Sequence, residues 1–187
     1  MIVLMATMTW TCGCGDVVLN VTPKGGTRVV CYCESCRGFV VRLGAEGILD
    51  DWGGNDLFQV APEAAVFVTD ADKVAWTKMT DKGPARWFTT CCKTPLANTL
   101  ETRAVPFLTL QSAYFDTQDD LPPIEIRVSR SGAKGHVPES SGGTWRLMRQ
   151  FAMRSLRSRF TGGWQRNPLF DAAGQPIGPQ VPLPDVR

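Results

Sequence analysis

Seven cysteines fall in three tight clusters, and their spacing suits metal capture. Cys31-Tyr32-Cys33-Glu34-Ser35-Cys36 reads C-x-C-x-x-C. Cys12-Gly13-Cys14-Gly15 supplies a C-x-C pair upstream, and Cys91-Cys92 stands far downstream before Lys93-Thr94-Pro95. Zinc takes thiolates at about 2.3 Å and favours four of them in a tetrahedron. Turns of the C-x-C and C-x-x-C type aim two sulfurs at one ion without long-range folding. Three thiolates alone leave an open position, where a catalytic zinc keeps water or substrate.

Two other uses of cysteine fit less well. Cysteines buried as small core residues have no reason to cluster in this way. Disulfides disfavour partners two residues apart, the count is odd, and no secretory signal precedes the clusters. Reduced thiols without a leader point to the cytoplasm.

The motifs resemble a known family. Cys12 to Gly15, Cys31 to Cys36, and Arg86-Trp87-Phe88 through Thr94-Pro95-Leu96 look like segments of the glutathione-dependent formaldehyde-activating enzyme family, whose domain is shared with centromere protein V. The resemblance covers roughly residues 9 to 115. It implies a structural zinc on the first pair and the last cysteines, here Cys12, Cys14, Cys91 and Cys92. It implies a second, open zinc beside a glutathione site, on Cys31, Cys33 and Cys36 as the catalytic set. The activity it implies is that of a carbon–sulfur lyase handling glutathione–aldehyde adducts of the S-hydroxymethylglutathione type, with glutathione or a related small thiol as partner. A non-catalytic zinc module that binds glutathione or a protein partner is the alternative.

The chain departs from the family pattern in two places. The family reads F-C-x-x-C-G where this chain has Phe88-Thr89-Thr90-Cys91-Cys92-Lys93, so Thr89 stands in a ligand position. Tyr32 stands where the family commonly has histidine. Neighbouring side chains on an extended backbone point to opposite faces. Three arrangements of Cys91 therefore stay open: it replaces the missing ligand through a distorted turn, water replaces it, or Cys91 points toward the second zinc and closes that site.

The elements that must position these thiols read as a mainly β, zinc-stabilised sheet domain of the formaldehyde-activating type, with a C-terminal basic amphipathic helix. The 187 residues include 18 Gly and 13 Pro, which suits a turn-rich sheet more than a bundle. The apolar residues 1 to 10 are too short to span a bilayer and read as a lead-in or an extra strand. Val17 to Val21 and Arg28 to Val30, joined by Thr22-Pro23-Lys24-Gly25-Gly26-Thr27, read as a hairpin that places the first two clusters at one end. A short helix is expected over Arg37 to Gly44, and strands over Leu57 to Val60, Val66 to Val68, Val74 to Met79 and Arg86 to Thr90. Trp52, Trp76 and Trp87 read chiefly as core. Arg86 is a candidate for a substrate carboxylate, and Glu34 for an exposed loop carboxylate. His136, the single histidine, falls in a loop-like stretch and excludes histidine-based metal sets.

Domain organisation is read as residues 1–130 for the zinc-binding mainly β domain, 131–143 for a linker, and 144–187 for the helix with an extended tail. Thr144 to Phe160 has the helical period, with Trp145, Leu147, Met148, Phe151, Ala152 and Leu156 on one face and Arg146, Arg149, Arg154 and Arg157 on the other. Residues 143–187 hold seven basic against two acidic residues, while the remainder holds 13 basic against 16 acidic. The expected arrangement packs the apolar face on the sheet and leaves the arginines in water. Contact of this helix with nucleic acid or an anionic surface is the less favoured reading. No transmembrane segment is expected.

Overall fold

The computed structural model describes residues 7–69, 71–140 and 142–183. Strands β1 (Met8–Thr11), β2 (Val18–Val21) and β3 (Thr27–Cys31) lead into helix α1 (Glu34–Arg42). Strands β4 (Asn55–Val60), β5 (Ala65–Phe67), β6 (Val74–Thr77), β7 (Ala85–Thr89), β8 (Pro95–Thr99), β9 (Leu108–Gln111) and β10 (Ile126–Val128) follow, and helix α2 (Thr144–Phe160) comes last. The architecture is mainly β. A three-stranded sheet has the order β1-β2-β5, and a seven-stranded sheet the order β10-β3-β4-β9-β8-β7-β6. Of the apolar lead-in, residues 1–6 lie outside the described residues, and Met8 to Trp10 begin β1.

The expected hairpin does not form. β2 pairs with β1 and β5, whereas β3 pairs with β4 and runs parallel to β10. Burial explains the separation. β2 buries Leu19 and Val21 but exposes Asn20, as a one-sided sheet requires, while β3 buries residues on both sides. The intervening turn carries the chain from one sheet to the other. Gly25 adopts a positive φ of 75°, and a side chain on Gly26 would run into the Phe58 ring.

The sheets enclose an apolar core. Trp10, Leu19 and Val21 meet Phe58, Trp87, Leu108 and Leu110, all fully buried or nearly so. Burying each such side chain stabilises the fold by about 1.5–3 kcal/mol. Buried indoles need partners for their N–H groups. Trp10 Nε1 donates to the Gln111 carbonyl at 3.0 Å, and Trp87 Nε1 to Thr99 Oγ1 at 2.9 Å.

The other face of the large sheet is unlike this core. Six cross-strand neighbours, Thr27, Gln59, Thr109, Asn98, Arg86 and Thr77, form one row across five strand pairings. All six are buried. Asn98 Nδ2 donates to Thr109 Oγ1 at 2.8 Å, and Arg86 Nη1 to Asn98 Oδ1 at 2.9 Å. Helix α1 covers one end of this face, packing Phe39, Val40 and Leu43 against Ala75 and Phe88. It stops as expected at Gly44, which has a φ of 71°.

Helix α2 covers the other end, but with its polar side inward. Arg154 Nη1 donates to Thr27 Oγ1 at 2.7 Å and to the Gly25 carbonyl at 3.1 Å, while Nη2 donates to Gln59 Oε1. Thr27 Oγ1 donates to Gln150 Oε1 at 2.8 Å, and Ser158 Oγ to Glu63 Oε2 at 2.8 Å. Leu147 and Phe151 add apolar contact, the latter edge-on to Phe107. Trp145, Met148, Met153, Leu156 and Phe160 face outward. The expected docking through the apolar face is therefore corrected, and Arg154 leaves the solvent, while Arg149 and Arg157 stay exposed as expected: a sheet face of hydrogen-bonding side chains selects the helix face that can answer it.

After α2 the chain returns to the sheet edge. Leu169 and Phe170 are buried, Trp76 N donates to the Pro179 carbonyl at 3.0 Å, and Val181 N to the Trp76 carbonyl at 2.8 Å. Among the described residues no helix is long and apolar enough to cross a membrane.

Arg154→Ala is expected to destabilise the protein by about 2 kcal/mol, because it strands buried acceptors. That lowers Tm by roughly 4–8 °C for a chain of this size. Arg157→Ala, at an exposed position, is expected to stay within about 0.5 kcal/mol of wild type in the same thermal melt.

Candidate metal centres

Cys12 follows β1, and Cys14 lies in the turn after it. Cys91 and Cys92 lie in the turn after β7. The fold brings all four together: Cys12–Cys14 Sγ atoms are 3.5 Å apart, Cys14–Cys91 3.2 Å, Cys91–Cys92 3.7 Å and Cys12–Cys91 4.0 Å. Four thiolates around a tetrahedral ion at about 2.3 Å lie about 3.8 Å from one another. The sulfurs thus enclose a space of the size a thiolate-bound ion needs, and the group could hold a metal.

Adjacent cysteines can both face this point because their backbone is a turn and not a strand. Lys93 N donates to the Thr89 carbonyl at 2.9 Å, and Thr89 N to the Thr94 carbonyl at 2.9 Å. Lys93 closes the turn with a φ of 57°. The Cys91 sulfur lies with those of Cys12, Cys14 and Cys92, the placement that the first of the three arrangements requires. Thr89 touches the group through Cys92. Its hydroxyl lies 3.2 Å from Cys92 Sγ, and that of Thr94 lies 3.0 Å from the same sulfur. Burial pushes the Cys92 thiol up, but these two hydroxyls together with Cys14 outweigh it and bring the group down to about 5. Thr94 Oγ1 also accepts from Gly13 N at 2.9 Å, which ties the two cysteine turns together.

The second group is local in sequence. Cys31 ends β3 opposite Asn55 of β4. Cys33 is the N-cap of α1, where its Sγ accepts from Cys36 N at 3.4 Å. The helix thus starts three residues earlier than expected, and C-x-x-C places its second cysteine in the first turn. Helix N-termini favour negative charge and stabilise thiolates. Cys31 and Cys33 Sγ are 3.4 Å apart, and the three sulfurs lie within 4.8 Å of one another. Hydrogen bonds from Cys31 and Cys36 pull the Cys33 thiol well below its ordinary value, with a smaller contribution from Arg86. The bond to Cys33 correspondingly pushes Cys31 up. This trio, too, could hold a metal ion. Cys31 and Cys36 are buried, and Cys33 half-buried.

Arg86 backs this centre. It is 2% exposed, and its Nη2 donates to Ser35 Oγ at 2.8 Å and to Cys36 Sγ at 3.6 Å. Phe39 lies beneath the guanidinium, with its ring centre 5.7 Å away. Among the described residues no carboxylate pairs with Arg86. Its Nε and the side-chain amides of Asn55 and Gln111 are buried without partners. Sequence reasoning passed over Asn55, Asn98 and Gln111. Polar residues at alternate positions of otherwise apolar strands were the available sign.

Tyr32 is a strut. It is fully buried, its hydroxyl donates to Asp50 Oδ2 at 2.7 Å and accepts from Arg127 Nη1 at 2.8 Å. Burial and then Asp50 push the phenol up to about 12. Asp50 also accepts from the backbone N–H groups of Trp52 and Gly54 at 3.0 and 2.7 Å, which fixes the neighbouring turn. Glu34 and His136 are exposed.

A profile described as a family of unknown function (DUF6151) matches residues 3–177. No curated protein matches the chain. A crystal structure of a Rhodobacter sphaeroides protein is similar at 19% identity and a TM-score of 0.43, covering 65% of this chain and 100% of the other.

Lys93→Gly is expected to stabilise the protein by about 0.5–1 kcal/mol, since relief of left-handed strain exceeds the added chain entropy. A rise in Tm of roughly 1–4 °C would register it. Tyr32→Phe is expected to cost about 1.5–3 kcal/mol in chemical denaturation, as it breaks a hydrogen bond to a carboxylate.

Proposed function

The chain belongs to this family of unknown function, and from its own residues we propose that it is a protein with two zinc centres of unlike kind. Cys12, Cys14, Cys91 and Cys92 form a closed structural centre. Cys31, Cys33 and Cys36 form a centre with one position free. The observation that carries this reading is the count of sulfurs within reach of each point, four in one and three in the other. Charge supports it. Three thiolates with one divalent ion sum to −1, and the buried Arg86, which has no carboxylate partner, offsets that charge.

The free position suits a small thiol. The resemblance to the glutathione-dependent formaldehyde-activating enzymes names that thiol as glutathione and the reaction as addition to an aldehyde. Sulfur attacks the carbonyl carbon, a carbon–sulfur bond forms, and the thiol proton passes to the carbonyl oxygen. No oxidant or reductant enters. Zinc held there would keep a thiol ionised near neutral pH and would polarise an aldehyde oxygen. Cys33 is held by the helix N-terminus and by its two neighbours, and Arg86 with Ser35 holds Cys36 in place. Burial of Cys31 and Cys36 favours a second reading, a non-catalytic zinc module that binds glutathione or a protein.

Protein purified without chelator is expected to carry two zinc ions per chain, one of them removed first by a mild chelator. Cys33→Ser is expected to lose that labile ion and keep its fold, whereas Cys12→Ser loses the other ion and melts at lower temperature. Formation of S-hydroxymethylglutathione above the spontaneous rate, abolished by Cys33→Ser, would support the lyase reading. Glutathione binding without turnover would support the module. A chain free of metal even after zinc is added back would overturn both.

A further inference from the structure

Helix α2 holds an apolar stripe away from its own protein. Phe160 is 84% exposed, Trp145 78%, Met153 65%, Leu156 54% and Met148 51%. At 100° per residue, Trp145, Ala152, Leu156, Phe160 and Met153 share one sector. Exposed Arg149 lies within that sector, exposed Arg157 and Arg159 flank it, and the helix contains no Asp or Glu. Lys24 and Arg166 join Arg157 along the groove between the helix and the turn at residues 22–26.

The outward orientation is built in. Arg154, Gln150 and Ser158 bind the sheet side through hydrogen bonds, and Arg146 Nη2 pairs with Glu125 Oε2 at 2.6 Å. Turning the stripe inward would break all of these. Five large apolar side chains on one exposed helix face mark a contact surface.

The chemistry of the face selects its partner. A second copy of the chain would bring Arg149, Arg157 and Arg159 against their own images, with no acidic residue in the helix to answer them. Nucleic acid would answer the arginines but leave Leu156 and Phe160 in water. An anionic bilayer surface takes both, with apolar side chains at the headgroup boundary and guanidinium groups among the phosphates. Seventeen residues make a helix about 25 Å long, and exposed Arg149 and Arg157 keep it in the plane of the interface. We propose that α2 is an interfacial helix that docks this protein on membrane surfaces rich in anionic phospholipid.

The test is sedimentation of the whole 187-residue chain with vesicles of phosphatidylcholine alone or with about 30% phosphatidylserine. Binding is expected only with phosphatidylserine, and to fall at least about tenfold when salt rises from about 0.1 to about 0.5 M. The paired substitution Leu156→Ser with Phe160→Ser is expected to lower it at least about tenfold, with circular dichroism and melting unchanged. Arg149→Glu with Arg157→Glu is expected to do the same. Failure of the wild-type chain to bind phosphatidylserine vesicles at low salt would overturn the proposal. So would a wild-type dimer in light scattering that Leu156→Ser with Phe160→Ser converts to monomer, or duplex DNA binding in place of vesicle binding.

Discussion

The large sheet has two unlike faces, and much of the molecule follows from that. One face is apolar and packs against the small sheet through Phe58, Trp87, Leu108 and Leu110. The other carries the row from Thr27 to Thr77, and every polar group in it has lost water. An unpaired buried polar group costs more than a made hydrogen bond returns, so whatever covers this face must bring donors and acceptors. Helix α2 does so with Arg154 and Gln150. At the far end Arg86 joins the row to the sulfur of Cys36 through a single guanidinium. The position of the three-thiol centre and the orientation of α2 are two results of one polar seam.

The cysteine groups that could hold a metal were legible because their chemistry is local. C-x-C and C-x-x-C spacing marks ligand turns in any fold. The mainly β class was legible from β-branched runs with Gly and Pro between them, and α2 from its period and its glycine-rich approach. What the sequence concealed was pairing. Val18 to Val21 and Thr27 to Cys31 have the look of a hairpin, yet they belong to different sheets, because strand partners are chosen by burial on both faces. The orientation of α2 was hidden for a related reason. Its amphipathic pattern says which side is apolar, but only the polar residues at alternate positions of β3, β4, β7, β8 and β9 say which side the sheet accepts. The part played by Thr89 was concealed too, since a hydroxyl that hydrogen-bonds a cysteine sulfur leaves no spacing signature.

The two thiol groups also meet solvent differently. Cys14 and Cys91 are exposed, so water could screen the excess negative charge that four thiolates around one ion would carry. Cys31 and Cys36 are buried, and a charge placed there needs a fixed counter-charge, which Arg86 supplies from β7 across the sheet face. Fewer sulfurs and an internal cation are complementary solutions to one electrostatic demand.

The spacing of the two groups along the chain sets an order in time. Cys31, Cys33 and Cys36 lie within six residues, so an ion can find all three as soon as this short stretch is free to turn. Cys12 and Cys91 are 79 residues apart, and the loop between them includes most of both sheets. No peptide fragment short of that length presents those four sulfurs together. On a growing chain the first group can come together early, at the cap of helix α1. The second group can form only after β7 and the turn at Cys91 have emerged, with β8, β9, β10 and α2 still to follow.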